Sequence, residues 1–583
     1  PTHYRKLDSD PTNLIRKIIQ TLSNSGLDEG FISPKEHSFL NKTDFTTPAI
    51  YILPKIHKNP LNPPGRPIVS GCNSILKPLA QYVDFFLKPF VINNPTYIRD
   101  STSVINSIEG SPFDSSACLL VTMDIESLYT NIPQDAALQI ILDTLESRHR
   151  PHQVPSDFIS KCAEIALNKN FFLFENHFFE QIKGVAMGAV FAPTIANLYV
   201  SNFESQFILT NTNPYRTNIL KWLRYIDDVL LIWEGSVPSL TLFHSWLNGL
   251  DPNLKFSLEQ HNSEIAFLDL NIIACEGVIH TSLYTKPTAR NTLLKYTSHH
   301  PANLKDNLPY GQFLRLRRNC SKKDDYFREA KTLSLKLRTR GYPSRLVRKS
   351  LKRAWYSNRE ALLQPNSKTQ NKQLICVSTF GTLSNKIKKC ILKHWPLLNN
   401  DRLFLDKPRF AFKRGTNLRD KLVKAYHEPN VVSIASALGL PPLIGHFRCG
   451  HCKACETCLP LKSFSINNIT GLLKQFSNCG SKNVIYCISC PCGLHYIGKT
   501  TQEIRKRILQ HQSKIRCKTE NAPLVEHYLR LNHKPCEMKW WVVEVIKSSV
   551  RHSNIDRTLT YRENRWIWST DNVKRGLNVN IEW

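Results

Sequence analysis

The segment Trp222-Leu-Arg-Tyr-Ile-Asp227-Asp228-Val-Leu-Leu-Ile-Trp233 sets two adjacent carboxylates between two apolar runs, a pattern few folds accommodate. Apolar runs of this length around a short polar step read as a β-hairpin whose tip presents the acids. Roughly 100 residues upstream, Leu119-Leu-Val-Thr-Met-Asp124-Ile-Glu is an apolar strand that also ends in a carboxylate. Phosphoryl transfer onto a 3′-hydroxyl uses two divalent ions about 4 Å apart, held by carboxylates of neighbouring strands. Mg2+ prefers such oxygen ligands and keeps water and substrate phosphate in its shell. An isolated Asp-Asp pair is ordinarily a turn. The bracketing strands and the partner acid make this one specific.

The charge balance agrees with a polyanionic partner. Lys and Arg number 77 against 47 Asp and Glu, a net charge of +30. A merely basic surface is the plainer alternative, and an anionic membrane fits worse because no basic amphipathic helix or lipidation motif stands out. At 583 residues the chain is too long for one core and predicts about three or four domains. No run of about 18 uncharged apolar residues and no signal peptide are present, which predicts a soluble intracellular protein. Pro1 in place of Met predicts a truncated N-terminus.

Residues 1–50 read as largely helical and polar. From Ile50 to about Lys286, short apolar strands alternate with helical stretches, as in an α/β or α+β domain. Between Arg315 and Arg353, 15 Lys and Arg face three acids, with leucines recurring throughout. This predicts a basic amphipathic helical region, either a nucleic-acid track or a solvated face. A polar connector follows. Ten of the 17 cysteines then fall between Cys449 and Cys536, which in a basic intracellular chain points to zinc rather than disulfides.

With these elements in place, a resemblance emerges. Tyr225-Ile-Asp227-Asp228 resembles the catalytic motif of reverse transcriptases, and Asp124 the Asp of their first metal-binding motif. Gly184-Val-Ala-Met-Gly188-Ala-Val-Phe-Ala-Pro193-Thr-Ile-Ala-Asn197 is similar to the motif beneath the template and incoming base. Leu53-Pro-Lys55-Ile-His-Lys58 and Gly65-Arg66-Pro67-Ile-Val-Ser70 resemble the fingers motifs. The resemblance implies that Lys55 and Arg66 bind the nucleotide triphosphate, and that Tyr129 excludes a 2′-hydroxyl and so favours dNTPs. Phe267-Leu-Asp-Leu-Asn271 and Leu283-Tyr-Thr-Lys286-Pro287-Thr resemble the motifs that close the palm. The ordered set is similar to that of Penelope-like retroelements, a branch of reverse transcriptases related to telomerase.

A second constellation lies near the C-terminus. Tyr486 and Tyr496 stand ten residues apart on apolar strands predicted to pair, around a turn at Pro491 and Gly493. Arg507 and His511 follow at helical i, i+4 spacing, so they share one face. Phosphodiester hydrolysis needs an activated water, a cation at the phosphate and usually a metal, and Tyr, His, Arg and Glu supply these. The segment resembles the GIY-YIG nucleases, with Val484 in place of the nominal Gly. By motif position, Tyr486 and Tyr496 order or deprotonate the water, Arg507 stabilises the phosphate and His511 assists proton transfer. Glu563 holds the divalent cation, and Asn578 braces the site.

Cys449-Gly-His-Cys452-Lys-Ala-Cys455-Glu-Thr-Cys458 contains three consecutive Cys-x2-Cys steps, a spacing that suits tetrahedral zinc. Four ligands so close together wrap one ion poorly, so one comes from elsewhere, with Cys479 the leading candidate and His451 a weaker one. A second site combines Cys490 and Cys492 with His527 and His533, as in Penelope-like nucleases, and Cys487 is a possible substitute. Both would brace the fold.

The expected architecture is multidomain α+β, a right-hand polymerase followed by a small α/β GIY-YIG nuclease. Residues 1–300 form fingers and palm, 301–365 a basic helical thumb, 366–445 a connector, 446–482 a Cys-rich zinc-binding linker and 483–583 the nuclease. The expected cofactors are Mg2+ at both active sites, through Asp124, Asp227, Asp228 and Glu563, and structural Zn2+. The expected partners are an RNA template, a chromosomal DNA target and dNTPs, with no membrane, and the chemistry implies the nucleus. The alternative is a catalytically inactive or domesticated nucleic-acid-binding protein derived from such an element. A repair-type nuclease with an unrelated N-terminal half is disfavoured by the ordered motifs.

Overall fold

The computed structural model describes residues 3–42, 45–56, 59, 61–148, 154–175, 177–364, 374–398, 404, 406–415, 417, 443–518, 522–546 and 555–579. His57 and Lys58 of the fingers motif, and much of the expected connector, lie outside the described residues.

Two fingers strands, β1 (Ile50–Pro54) and β2 (Gly65–Val69), pair antiparallel. The palm sheet is built from β3 (Cys118–Asp124), β4 (Ile219–Tyr225), β5 (Asp228–Glu234) and β6 (Glu259–His261), in the order β4-β5-β3-β6. Successive side chains of a strand point to opposite faces, and here both faces are covered. Leu119, Val121, Met123, Leu231 and Trp233 pack into the main helical core, while Leu120, Leu230 and Ile232 pack against a second layer that includes Ile265 and Leu270. This explains why β3 and β5 read as continuous apolar runs. Each such buried side chain contributes roughly 1.5–3 kcal/mol, so the strand ends that carry the acids are firmly seated.

The glycine motif couples the fingers to the palm. Val69 donates its N–H to the Met187 carbonyl at 3.0 Å. Gly188 has φ +112, and a Cβ there would sit 2.2 Å from the Val69 carbonyl oxygen. A Cβ on Gly184, at φ +78, would sit 2.7 Å from the Thr130 carbonyl oxygen, while Val185 donates to the Tyr129 carbonyl at 2.7 Å. Two backbone segments meet at each point, which leaves no room for a side chain.

Helix α1 (Ala192–Phe203), almost wholly buried, runs beneath the palm hairpin and continues into a π-helical turn at Glu204–Ile208. The basic stretch forms three helices, α2 (Ala302–Asn319), α3 (Lys323–Thr339) and α4 (Ser344–Trp355), around a core of their own that includes Phe313, Tyr326 and Val347. Asp269, in the turn between Phe267 and Leu270, accepts from Arg315 at 2.6 and 2.9 Å and so ties α2 to the palm. Arg359 grips Glu109 through two hydrogen bonds of 2.7 Å.

Two features depart from the sequence reading. Strand Tyr4–Leu7 pairs with His177–Gln181, so the polar N-terminal region is not helix alone. The expected connector contains Ile375–Thr379 and Arg409–Lys413 paired in parallel, with helix Ser384–His394 between them. Both pairings join distant segments, which local periodicity does not report.

The C-terminal sheet is β7 (Val484–Ser489), β8 (His495–Thr500) and β9 (Lys539–Val545), with β7 central. Helices α5 (Ile504–Arg516) and α6 (Pro523–Arg530) share its core with Tyr486 and Trp540. Helix α7 (Ile555–Ser569) is anchored to β9 where Glu544 accepts from Arg562 and Trp566. No helix among the described residues is long and apolar enough to cross a membrane.

Candidate active sites and metal centres

Antiparallel register sets Asp124 opposite Asp228, and the two-residue turn Ile226-Asp227 joins β4 to β5. Ile226 has φ +57. A β-branched residue in the left-handed region is strained, a condition that concentrates at functional sites. The strands are cross-tied at their ends. Ile125 donates to the Asp227 carbonyl at 2.9 Å, and the Asp124 N–H donates to Ser257 Oγ at 2.9 Å.

Three carboxylates in one half-buried place repel one another. Burial, then Asp227 and Asp124, push the Asp228 carboxyl up to about 6, and Lys286 pulls it back. Asp227 is raised as well, by burial and by Asp124, against the opposing pull of Arg66 and Lys55. Lys55 and Arg66 therefore both act on Asp227. Tyr129 borders the cluster too, its hydroxyl pushed up to about 12 by burial and the neighbouring Asp227. A hard, oxygen-only donor set that resists full ionisation fits divalent cations. The sequence reading gave Lys286 a place in a motif without a role, and the structure brings it to Asp228.

In the C-terminal site, Tyr486 and His511 are buried, with Tyr486 Oη and His511 Nε2 2.8 Å apart. Arg507 donates to the same hydroxyl at 3.3 Å. Tyr496 packs edge-on to His511 at 5.8 Å between ring centroids. Register places Tyr486 beside Gly498, where a Cβ would lie 2.6 Å from the tyrosine hydroxyl. The glycine lets the ring lie flat across the strand. Burial, reinforced by Arg507 and Lys514, depresses His511 to about 3, so its imidazole is neutral at physiological pH. Burial, then Tyr496 and Glu563, raise the Tyr486 phenol well above its ordinary value, against Arg507. Burial and Glu563 also raise Tyr496. Glu563 is half-buried on α7 and close enough to act on both phenols. Asn578 clasps β8, accepting from the Ile497 N–H at 3.0 Å and donating to its carbonyl at 2.9 Å.

Two groups of soft ligands complete the domain. Cys449, Cys452, Cys455 and Cys479 have ligand atoms all within 4.8 Å of one another, and so do Cys490, Cys492, His527 and His533. Thiolates about 2.3 Å from one ion lie about 3.8 Å apart in a tetrahedron. The sulfur separations are 3.4 Å for Cys449–Cys452, 3.6 Å for Cys452–Cys455 and 3.5 Å for Cys455–Cys479. Cys458 borders Cys479 but stands outside the group of four, its sulfur 3.3 Å from His446 Nε2, and His451 is exposed outside the group. In the second group, Cys490 and Cys492 approach His527 Nε2 at 3.1 and 3.2 Å. His533 keeps Nε2 buried without a hydrogen-bond partner, as an imidazole reserved for a metal would. Cys487 is buried elsewhere.

A family model for reverse transcriptase (RNA-dependent DNA polymerase) matches residues 56–252, and one for the GIY-YIG catalytic domain matches 482–575. The chain carries a reverse transcriptase and a GIY-YIG nuclease domain. Their order is that of the Penelope-like polyproteins the motifs resemble. An animal helix-turn-helix domain model matches residues 292–352, on the three basic helices. No curated protein matches. Among solved structures, the chain is similar to apo telomerase from Candida tropicalis truncated from its C-terminal domain. That match has 14% identity and a TM-score of 0.31, covering 45% of this chain and 60% of that one. It is also similar to Candida albicans telomerase in complex with a TWJ fragment of telomeric RNA, at 10% identity and a TM-score of 0.37, covering 60% and 62%. The Sicinivirus 3Dpol RNA-dependent RNA polymerase matches at 13% identity and a TM-score of 0.34, covering 56% and 71%. The chain thus spans about 60% of the length of the two telomerases. The palm sheet and the two family matches give a mixed α+β chain, a polymerase domain followed by a small nuclease domain.

Proposed function

We propose that the chain is an RNA-directed DNA polymerase and DNA-nicking endonuclease that work together in target-primed retrotransposition. The nuclease domain nicks one strand of a chromosomal target in the nucleus. The freed 3′-hydroxyl then primes copying of the element's own RNA from dNTPs. The observation that carries this reading is the register that places Asp124 opposite Asp228, with Asp227 at the intervening turn.

Asp124, Asp227 and Asp228 would hold Mg2+, which when bound lowers the barrier by stabilising charge on the attacking and leaving oxygens. Lys55 and Arg66 take the triphosphate. Tyr129 fills the space a 2′-hydroxyl would need, which selects dNTPs. The exposed basic face of α4, with Arg345, Arg348, Lys349 and Lys352, tracks the nucleic-acid backbone.

In the nuclease, neutral His511 accepts a hydrogen bond from the Tyr486 hydroxyl, which orients the phenol oxygen to accept a hydrogen bond from the attacking water. Arg507 faces the phosphate, Tyr496 lines the site, Glu563 would hold the divalent ion and Asn578 fixes β8. The two Cys/His groups would hold Zn2+ and pin the strands and helices that frame the site.

The test is Mg2+-dependent dNTP incorporation on a primed RNA template by the full chain, beside Asp227→Ala. Incorporation by the wild type that vanishes in the variant supports the polymerase. Equal inactivity with retained RNA binding would instead favour a nucleic-acid-binding derivative, a reading the helix-turn-helix match to 292–352 also accommodates. Nicking of plasmid DNA that disappears in Glu563→Ala tests the second activity.

A further inference from the structure

Arg224 is fully buried directly ahead of the catalytic turn, yet none of its atoms can reach a substrate. Its Nε and Nη2 donate to the two Glu204 carboxylate oxygens at 2.7 and 3.0 Å. Nη1 donates to Asn197 Oδ1 at 2.8 Å and to the Ile226 carbonyl at 3.2 Å, and Nη2 donates to Ser201 Oγ at 3.0 Å. Glu204 is fully buried too, and accepts from Trp222 Nε1 at 2.7 Å and from Thr96 Oγ1 at 2.6 Å. The backbone of Arg224 is held as well, donating to Thr96 and accepting from Ile98.

A buried ion pair is a poor route to stability, because apolar residues of like volume do as well or better. What it supplies here is direction. The Ile226 carbonyl belongs to the residue whose φ of +57 turns the hairpin, and the next two residues are Asp227 and Asp228. A strained backbone keeps its geometry only when its surroundings over-determine it. The guanidinium fork spans α1, the π-helical turn and the Ile226 carbonyl at once, which a single ammonium cannot do.

We infer that Arg224, clamped by Glu204, is a positioning residue of the polymerase: it pins the Ile226 carbonyl and thereby aims the Asp227 and Asp228 carboxylates at the metal positions. The inference rests on the polymerase reading of that site. Loss of an outer partner of a metal ligand ordinarily costs about 10–100-fold in metal affinity or activity.

The test uses the full chain with Arg224→Met combined with Glu204→Leu, which removes both charges together so that neither is left buried and unpaired, while Trp222 Nε1 and Asn197 Oδ1 each lose a partner. Mn2+ binding is followed by electron paramagnetic resonance, and the part lost in Asp227→Ala reports the polymerase site. The double variant should stay folded, with its melting lowered by the buried polar groups it unpairs, and bind primed template with an unchanged Kd. Its Mn2+ affinity at that site and its kcat for dNTP incorporation should fall by ~10–100-fold, with KM for dNTP little altered. Arg224→Lys, which keeps the charge and loses the fork, should fall between the two. A folded double variant with wild-type Mn2+ affinity and kcat would overturn the inference. If the double variant does not fold, the same readouts on Arg224→Lys decide. If the wild type binds Mn2+ at Asp227 but incorporates nothing, the polymerase reading fails, while the Mn2+ comparison still judges the clamp. A wild type that binds no Mn2+ there sinks both.

Discussion

The two active sites solve the burial of titratable groups in opposite ways. The polymerase gathers three carboxylates, and burial with mutual repulsion drives Asp228 up to about 6. The nuclease buries an imidazole against two phenols, and burial with nearby cations drives His511 down to about 3. Desolvation disfavours charge in both. The first is a cluster of carboxylates with no cation of its own in hydrogen-bond contact among the described residues, whereas the second already sets the Arg507 guanidinium on its Tyr486–His511 hydrogen bond. The supports differ accordingly. The polymerase acids sit on a sheet covered on both faces, while the smaller nuclease domain has two Cys/His groups at its edges.

The largest separation between the two should come from chelation. On the proposed zinc assignment, chelating the ion from the two Cys/His groups should unfold the nuclease domain, since apparent binding energies of structural zinc run to about 10 kcal/mol or more. The polymerase should regain full incorporation once Mg2+ is restored. Limited proteolysis and both activity assays read this, and a nuclease that nicks normally after zinc removal would undo the distinction.

Gly188→Ala should act in the reverse sense. A Cβ 2.2 Å from the Val69 carbonyl, at φ +112, requires the backbone to move. The cost should be about 2–4 kcal/mol, with incorporation lost and nicking intact.

Acid sharpens the contrast further. As pH falls through about 6, Asp228 takes up a proton, so the Mg2+ midpoint for incorporation should rise by up to about tenfold per unit. Because this folded pKa lies above the unfolded 3.8, the folded state binds more protons between the two values. Asp228 therefore adds stability as pH drops from about 6 to 4. His511 has the opposite sign. Its folded value of about 3 lies below the unfolded 6.5, so the unfolded chain binds more protons in that window, and the nuclease loses stability as pH falls through it. The loss is of order 1 kcal/mol per unit. Domain-resolved melting between pH 7 and 4 should show the two transitions diverging, and parallel behaviour would refute the contrast.

The smallest expected effect is on the thumb. Replacing Arg345, Arg348, Lys349 and Lys352 by Gln should reduce the salt slope of template binding by about 3. Nicking should be untouched.

The acids and the thiol–imidazole sets were legible because short sequence spacing determines them. Asp227 and Asp228 adjoin each other between apolar strands, and each Cys pair sits within one turn. Cys479 was reachable because soft ligands are scarce and must find partners, and the two distant histidines through the resemblance to Penelope-like nucleases. What escaped was long-range pairing. Nothing local announces that Lys286 reaches Asp228, that Arg224 meets Glu204, or that Tyr4–Leu7 pairs with His177–Gln181. A charged residue inside an apolar strand, as Arg224 is in β4, was the available clue to a buried partner. In the connector, two short strands joined only through a helix resembled irregular chain.

The backbone contacts at Gly184 and Gly188 also bear on how such an element ages. Copies made by an error-prone process drift, and a lost lysine on the surface can be tolerated for many generations. If the chain copies its own element as proposed, a base change that replaces Gly188 should halt that copying as loss of Asp227 would, because a side chain there collides with the Val69 backbone. Among degenerate relatives, the moment at which copying stopped should therefore be dated by these glycines together with the acids, since a lineage that has lost either leaves no further descendants of its own making.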